Sequence, residues 1–391
     1  MTREEQLIAL CRDVIRIPSP SGREGEVARF LKGRMEDFGF DEAHIDRCGS
    51  VYGLIRGERP GKTILMDGHI DHVEVIDEDQ WRHAPWGAEV EDGRIYGRGT
   101  SDMKGSVAAM VFAAACFAQD TGRDFAGTVA VSCTVHEECF EGVSSREISR
   151  LVRPDCVIVG EATSSTVKIG QRGRAEVVVE TEGVSCHSSN PEKGVNAVYH
   201  MNTLLEEIRK IRPNEHPILG KGILELTDII SYPYPGSSVL PSLCRATFDR
   251  RTLVGEDEAV ILGQFEEAIR RTREKLPELR ARAYLAEGEE KCWTGETIRA
   301  KRYFPAWVVD ENSDFVRKAV EGLREAGIDT AISHFSFCTN GSHFCGEAGI
   351  PTIGYGPSLE SLAHVRDEYI EIDQLTRACR GFENILRKLT E

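Results

Sequence analysis

The sequence predicts an α/β protein in which one helix-flanked sheet is interrupted by a smaller α+β unit. Three observations carry that expectation. Apolar runs of strand length alternate with helical patterns through residues 1–173. Beyond Gly173 the order becomes strand, helix, strand, strand, helix, strand, the split-βαβ arrangement of a ferredoxin-like unit. From about Pro305 the alternation of helix and strand returns. The expected division is 1–173, 174–291 and 292–391, the outer two segments forming one domain.

Leu7, Ile8, Leu10, Cys11, Val14 and Ile15 recur at helical spacing over 4–17. Ser19-Pro20-Ser21-Gly22 stops that helix, and 24–38 is a second amphipathic one. Residues 51–55 and 63–66 read as strands. The stretch 107–118 is apolar on every side, so it predicts a buried helix. The continuous apolar runs 128–135 and 156–159 suit strands covered on both faces. In the second segment, strands fall at 175–180, 223–226, 244–248 and 280–285, with helices over 195–211 and 257–275. The last segment holds a helix at 313–326, a strand at 351–355 and a helix at 372–389.

A chain of 391 residues exceeds one ordinary core. Its net charge of −16 argues against a nucleic-acid partner. The twelve cysteines are scattered with no Cys-x-x-Cys, which excludes a zinc knuckle and a thioredoxin-type site. The polar N-terminus enters a helical pattern at once and does not read as a signal peptide. No uninterrupted apolar run reaches the ~18–20 residues of a membrane span. The expectation is a reduced, cytoplasmic protein with neither membrane nor nucleic-acid contacts.

The chemistry-bearing residues follow the strands. His69 and Asp71 come just after the apolar run 64–66, where α/β sheets collect ligands. On an extended chain they share a face, so His69 can bind metal while Asp71 holds its ring. Alone, His-x-Asp is equally a surface turn. Asp102 lies in a Gly-rich loop before the buried helix, and its two oxygens suit a pair of cations ~3.5–4 Å apart. A nucleotide loop is the rival. Gly97-x-Gly99 lacks the third glycine, and Gly57 stands one residue too close to Gly61-Lys62-Thr63 for a P-loop. Glu137 and Glu138 end a strand, where adjacent buried acids repel unless cations or protons intervene. One can bind metal while the other reaches an attacking water. Glu161 repeats the placement after 156–159, and His364 follows a later strand and loop. Each residue alone is as easily structural. Together they supply the donors of a two-metal amide hydrolase.

At this point the chain resembles a family of dinuclear zinc hydrolases. That family includes acetylornithine deacetylase, succinyl-diaminopimelate desuccinylase, aminoacylase and glutamate carboxypeptidase. More weakly it resembles the branch described as selenium-metabolism-linked hydrolases. The matching segments are Gly68-His69-Ile70-Asp71, Gly97 to Gly105, His136-Glu137-Glu138, Gly160-Glu161-Ala162-Thr163 and His364. The resemblance implies a zinc-peptidase-like catalytic domain with a central mixed sheet, interrupted by a lid or dimerisation domain. It implies two divalent ions per chain, zinc foremost with cobalt or manganese as alternatives. His69 and Glu161 would complete one site, Glu138 and His364 the other, and Asp102 would bridge them. Asp71 would orient His69, Glu137 would be the general base, and the Asp102–Met103 peptide would be cis.

In the inserted segment, Ser185-Cys186-His187-Ser188-Ser189 resembles the family's Ala-His-Ser stretch, which makes His187 an oxyanion donor and implies a homodimer. Asp249-Arg250-Arg251 matches Asp-x-Arg, placing Arg251 on a substrate carboxylate. Arg250, or an ion pair to Asp249, is the alternative. Asn340 is expected at the substrate, and Gly356 and Pro357 at the pocket floor. His136 stands where many members have Asp, Cys139 follows the Glu pair, and the stretch 293–307 is unusually aromatic. It either lines the pocket or packs the core. The implied activity is hydrolysis of an amide bond in a small carboxylate-bearing substrate. A free-amine aminopeptidase, a deaminase or amidohydrolase of a nitrogen-rich small molecule, and a non-catalytic metal-binding scaffold are the rivals.

Overall fold

The protein is described here by a computed structural model covering residues 1–391. It divides into two compact units, 1–171 with 289–299 and 307–391, and 172–288 with 300–306.

The larger unit is built on a nine-stranded mixed sheet. Four neighbouring strands run parallel: Ala126–Thr134, Arg59–His69, Cys156–Val159 and Thr352–Gly354. Val51–Arg56 and Glu42–Ile45 extend one side antiparallel. Val167–Gln171 joins the other side, carrying Trp307–Val308 and Ile332–Phe335. Ala126–Thr134, Cys156–Val159 and Thr352–Gly354 are buried at nearly every residue, as is Arg59–His69 from Ile64 onward, which is why they read as continuous apolar runs.

Helices α1 (Arg3–Ile15), α2 (Gly25–Asp37) and α3 (Gly105–Thr121) belong to this unit. So do α4 (Ser145–Val152), α7 (Asp314–Glu325) and α8 (Ile372–Leu389). α1 starts at a capping box, Thr2 taking the N–H of Glu5 while Glu5 takes that of Thr2. α3 is apolar all round and is enclosed, from Gly105 to Ala118 almost without interruption. With the turn before it, Thr100–Thr121 has the length and mean hydropathy of a membrane span, but its most apolar 18-residue stretch is 89% buried in the fold. Core packing accounts for its apolarity.

The smaller unit has an antiparallel sheet in the order Ile223–Tyr232, Leu243–Thr252, Gly173–Glu182, Arg280–Leu285. Helices α5 (Ala197–Ile208) and α6 (Glu258–Lys275) cover one face. Val177, Val179, Ala246 and Phe248 point into that layer against Met201, Leu204, Ile261 and Phe265. This is the ferredoxin-like order read from the sequence. Tyr303–Phe304 also pairs with Gly173–Glu182, so the smaller unit takes back a piece of chain beyond residue 291. None of the twelve cysteines forms a disulfide.

Candidate active site

The parallel strands place their carboxyl ends along one edge of the larger unit. His69 closes the strand Arg59–His69, Glu137 and Glu138 follow Ala126–Thr134, and Glu161 follows Cys156–Val159. Asp102 arrives from the tight turn before α3, and His364 from the loop after Glu360–Leu362. The Asp102–Met103 peptide is cis. His136 and His364 both take left-handed backbone, with φ of 60° and 62°. Such outliers collect at functional sites.

Asp102 stands at the centre. Its Oδ1 lies 2.9 Å from His69 Nε2 and its Oδ2 lies 3.1 Å from His364 Nε2. Glu161 Oε1 is 3.5 Å from His69 Nε2, and Glu138 Oε2 is 2.8 Å from His364 Nε2. Glu137 Oε2 reaches to 3.9 Å of His69 Nε2. The adjacent glutamates therefore diverge, one toward each imidazole. His69, Asp102 and Glu138 can share a cation, and so can His69, Glu137 and Glu161.

The electrostatics are those of crowded acids. Burial pushes Glu161 up to about 8, helped by the charge of Asp102. Burial and Asp102 push Glu138 up to about 7. Burial drives Glu137 well above the usual carboxylate range, with Glu161, Glu141 and Glu138 adding to the effect. Asp102 is also buried, but hydrogen bonds from His364 and His69 hold its carboxyl below the ordinary range. Those to Asp102 and Glu138 raise His364 to about 10. Buried carboxylates packed this closely favour cations.

A layer of buried carboxylates holds the loops that carry these groups. Asp71 accepts the N–H groups of Glu137 (3.1 Å) and Glu138 (3.2 Å) and the hydroxyl of Ser21 (2.7 Å). The ring of His69 meets Asp71 chiefly through the backbone, Nδ1 lying 3.0 Å from the carbonyl and 3.5 Å from Oδ1. Glu24 accepts the N–H of Gly22 at 2.9 Å and that of His136 at 3.3 Å. Glu368 accepts those of Gly99, Ser101 and Asp102 and pairs with Arg98 at 2.7 Å. Sequence reasoning missed Glu24 and Glu368. Their one signal was an acid just after a turn motif (Ser21-Gly22-Arg23-Glu24) and one shortly after His364.

Asn340 does not fit its expected place at the substrate. It is 2% exposed, and its amide is spent inside the protein. Nδ2 donates to Asp67 and Thr134, both at 2.9 Å, and Oδ1 accepts the N–H of Gly142. Gly356 packs so tightly that a Cβ there would meet the carbonyls of Gly160 and Glu161 at 2.3 and 2.4 Å. Phe304 and Trp307 are buried, and Trp293 donates to the carbonyl of Gly49, so the aromatic stretch is packing.

In the smaller unit the alternation along Leu243–Thr252 separates the two arginines. Arg250 points into the core and pairs with Glu256 at 2.9 Å. Arg251 lies on the open face beside Asp249 at 3.0 Å. His187 is exposed, and its Nδ1 accepts the N–H of Ser189 at 3.1 Å.

A sheet whose parallel strand ends gather two histidines and four carboxylates defines a hydrolase of the metallopeptidase type. Residues 65–388 match Peptidase family M20/M25/M40, and the chain belongs to that family, whose members hydrolyse amide bonds. It is 35% identical over 364 residues to the uncharacterized protein YgeY of Escherichia coli (strain K12), covering 91% of this chain and 88% of that one. It is 28% identical over 396 residues to a succinyl-diaminopimelate desuccinylase of Cereibacter sphaeroides, covering 97% and 98%. Its fold matches the M20 family metallo-carboxypeptidase Sso-CP2 of Sulfolobus solfataricus with a TM-score of 0.74 at 20% identity, over 100% and 99% of the two chains.

Proposed function

We propose that this amide hydrolase works with two divalent metal ions on a small substrate that carries a carboxylate. The carrying observation is Asp102, one oxygen on His69 and the other on His364, with a glutamate beside each histidine. The donor set fits: nitrogen and carboxylate oxygen suit zinc, cobalt or manganese. Glu137 Oε1 and Glu138 Oε1 are moreover buried without a hydrogen-bond partner. His69 and Glu161 would hold one ion, Glu138 and His364 the other, and Asp102 both. Bound there, the pair would supply Lewis acidity to the amide carbonyl and to the attacking water.

Glu137 is the general base in this reading, taking a proton from that water and returning it to the leaving amine. Asp71 fixes it by gripping its N–H. His187 is the oxyanion donor: with Nδ1 accepting from Ser189, the neutral ring carries its proton on Nε2. Arg251, not the buried Arg250, takes the substrate carboxylate through its bidentate fork. The relative named a desuccinylase supports a carboxylate-bearing acyl amide.

The chain would act as a homodimer through the smaller unit. Ile223–Tyr232 is the sheet's edge strand and exposes Leu226 and Ile229. An edge of that length and apolarity invites a partner. The absence of disulfides among twelve cysteines supports a reducing, cytoplasmic setting.

The test is metal content of the purified protein together with free-amine release from N-acyl amino acids and dipeptides, with and without chelator. About two ions per chain and chelator-sensitive release are expected. Amine release that survives complete removal of metal would overturn the reading.

A further inference from the structure

Two departures from the common pattern of the family, His136 and Cys139, take no part in the chemistry above. They share a place with a third residue. His136 Nδ1 lies 3.4 Å from Cys139 Sγ. The ligand atoms of His136, Cys139 and Glu290 all fall within 4.8 Å of one another. All three residues lie in the larger unit, Glu290 on the segment 289–299 that returns to it. The main chain of that segment comes close to the imidazole. A Cβ on Gly22 would touch the Lys291 carbonyl at 3.2 Å and His136 Cε1 at 3.5 Å.

The imidazole is weakly satisfied for so buried a group. It is 2% exposed, its Nδ1 lies against the Cys139 thiol, its Nε2 makes no well-formed hydrogen bond, and the Lys291 carbonyl is the one backbone acceptor that bears on the ring. Buried polar groups are normally satisfied. The distances suit a shared cation instead. A tetrahedral zinc with bonds of ~2.3 Å to sulfur and ~2.0–2.1 Å to nitrogen sets those two atoms ~3.6 Å apart. The surroundings are acidic as well: Glu24 holds the N–H of His136, and its Oε2 is buried without a partner.

We propose that His136, Cys139 and Glu290 form a third metal site, for a thiophilic divalent cation such as zinc. It would tie the segment 289–299 to the loop that carries Glu137 and Glu138. Neutral imidazole, thiolate and carboxylate supply three ligands, and water completes the tetrahedron. On binding, the thiol proton of Cys139 passes to solvent. The role is positional: the cation would brace the loop of the general base, in addition to the grip of Asp71 on its N–H groups.

The sulfur makes this site separable from the paired one, whose ligands are all nitrogen and oxygen. Metal-free protein is titrated with cobalt(II) while the near-ultraviolet thiolate-to-cobalt charge-transfer band and the bound metal are followed. The wild type should show the band. Cys139→Ser should lose it together with one ion per chain. Glu290→Gln should weaken the cobalt that gives the band by about tenfold or more. In the unmutated protein, bound metal should slow alkylation of Cys139, located by mass spectrometry, by about tenfold or more. No band in the wild type, a band that survives Cys139→Ser, or alkylation unaffected by metal would each overturn the proposal. Loss of the paired site would lower total metal and leave the band, so the two readings fail separately.

Discussion

The carboxylate of Glu368 accepts the backbone N–H of Asp102 at 3.1 Å, joining the segment that carries His364 to the residue at the centre of the site. The same carboxylate takes the N–H groups of Gly99 and Ser101 and the guanidinium of Arg98, all of it buried. Glu368→Ala would strand the Arg98 charge and free three N–H groups at once. Breaking a buried pair in this way costs about 3–5 kcal/mol. Denaturant unfolding of the metal-free protein should show that loss. A cost under about 1 kcal/mol, the range of exposed pairs, would mean the pair is not buried in solution.

Glu137→Gln keeps the size of the side chain and its backbone link to Asp71 but removes the proton acceptor. Turnover should fall by about 10²–10⁴-fold, the usual contribution of a general base. Metal content should hold at the wild-type level. Loss of an ion in this variant would instead make Glu137 a ligand, as its 3.9 Å approach to His69 allows.

Gly356→Ala should weaken metal binding with little change in secondary structure. The new Cβ would press on the carbonyls of Gly160 and Glu161 and displace the Glu161 main chain. Competition against a chromophoric chelator would measure the effect, and unchanged affinity would remove Gly356 from the support of Glu161.

Ile229→Lys places a charge on the exposed edge strand, where Ile229 is 48% exposed. Sedimentation should find the variant shifted from dimer to monomer. Its circular dichroism should match the wild type, because the side chain lies outside the core of its own unit. A variant that sediments like the wild type would place any dimer contact elsewhere.

Glu347 offers a pH test outside the site. Burial pushes its carboxyl up, but hydrogen bonds from His343 and Arg146 win and bring it down to about 2. A carboxyl lowered on folding stabilises the protein fully above its ordinary value of 4.5. That stability is lost as pH falls through about 2. Wild type and Glu347→Gln should therefore differ most near neutrality and converge toward pH 2. Parallel stability curves over that range would refute the assignment.

The alternation of strands and helices was legible in the sequence, as were the donors His69, Asp102, Glu138, Glu161 and His364 that the structure brings together. His69, Glu137, Glu138 and Glu161 follow apolar strands, and parallel strands end on one edge, so local pattern was enough to bring them near one another. Apolarity on every side likewise marked α3 as buried. Folding decided what depends on partners far along the chain. Asn340 is expected at the substrate from its sequence neighbours, but Asp67 and Thr134, more than 200 residues away, use up its amide. Arg250 and Arg251 are neighbours of equal charge, and the pleat with its covering helices sends one into the core and leaves the other open. Glu24 and Glu368 carry no motif of their own, because they serve by accepting backbone N–H groups, which any residue presents. Only the tertiary structure could supply those donors: a carboxylate is recognised by what surrounds it, and its surroundings are assembled when the chain folds.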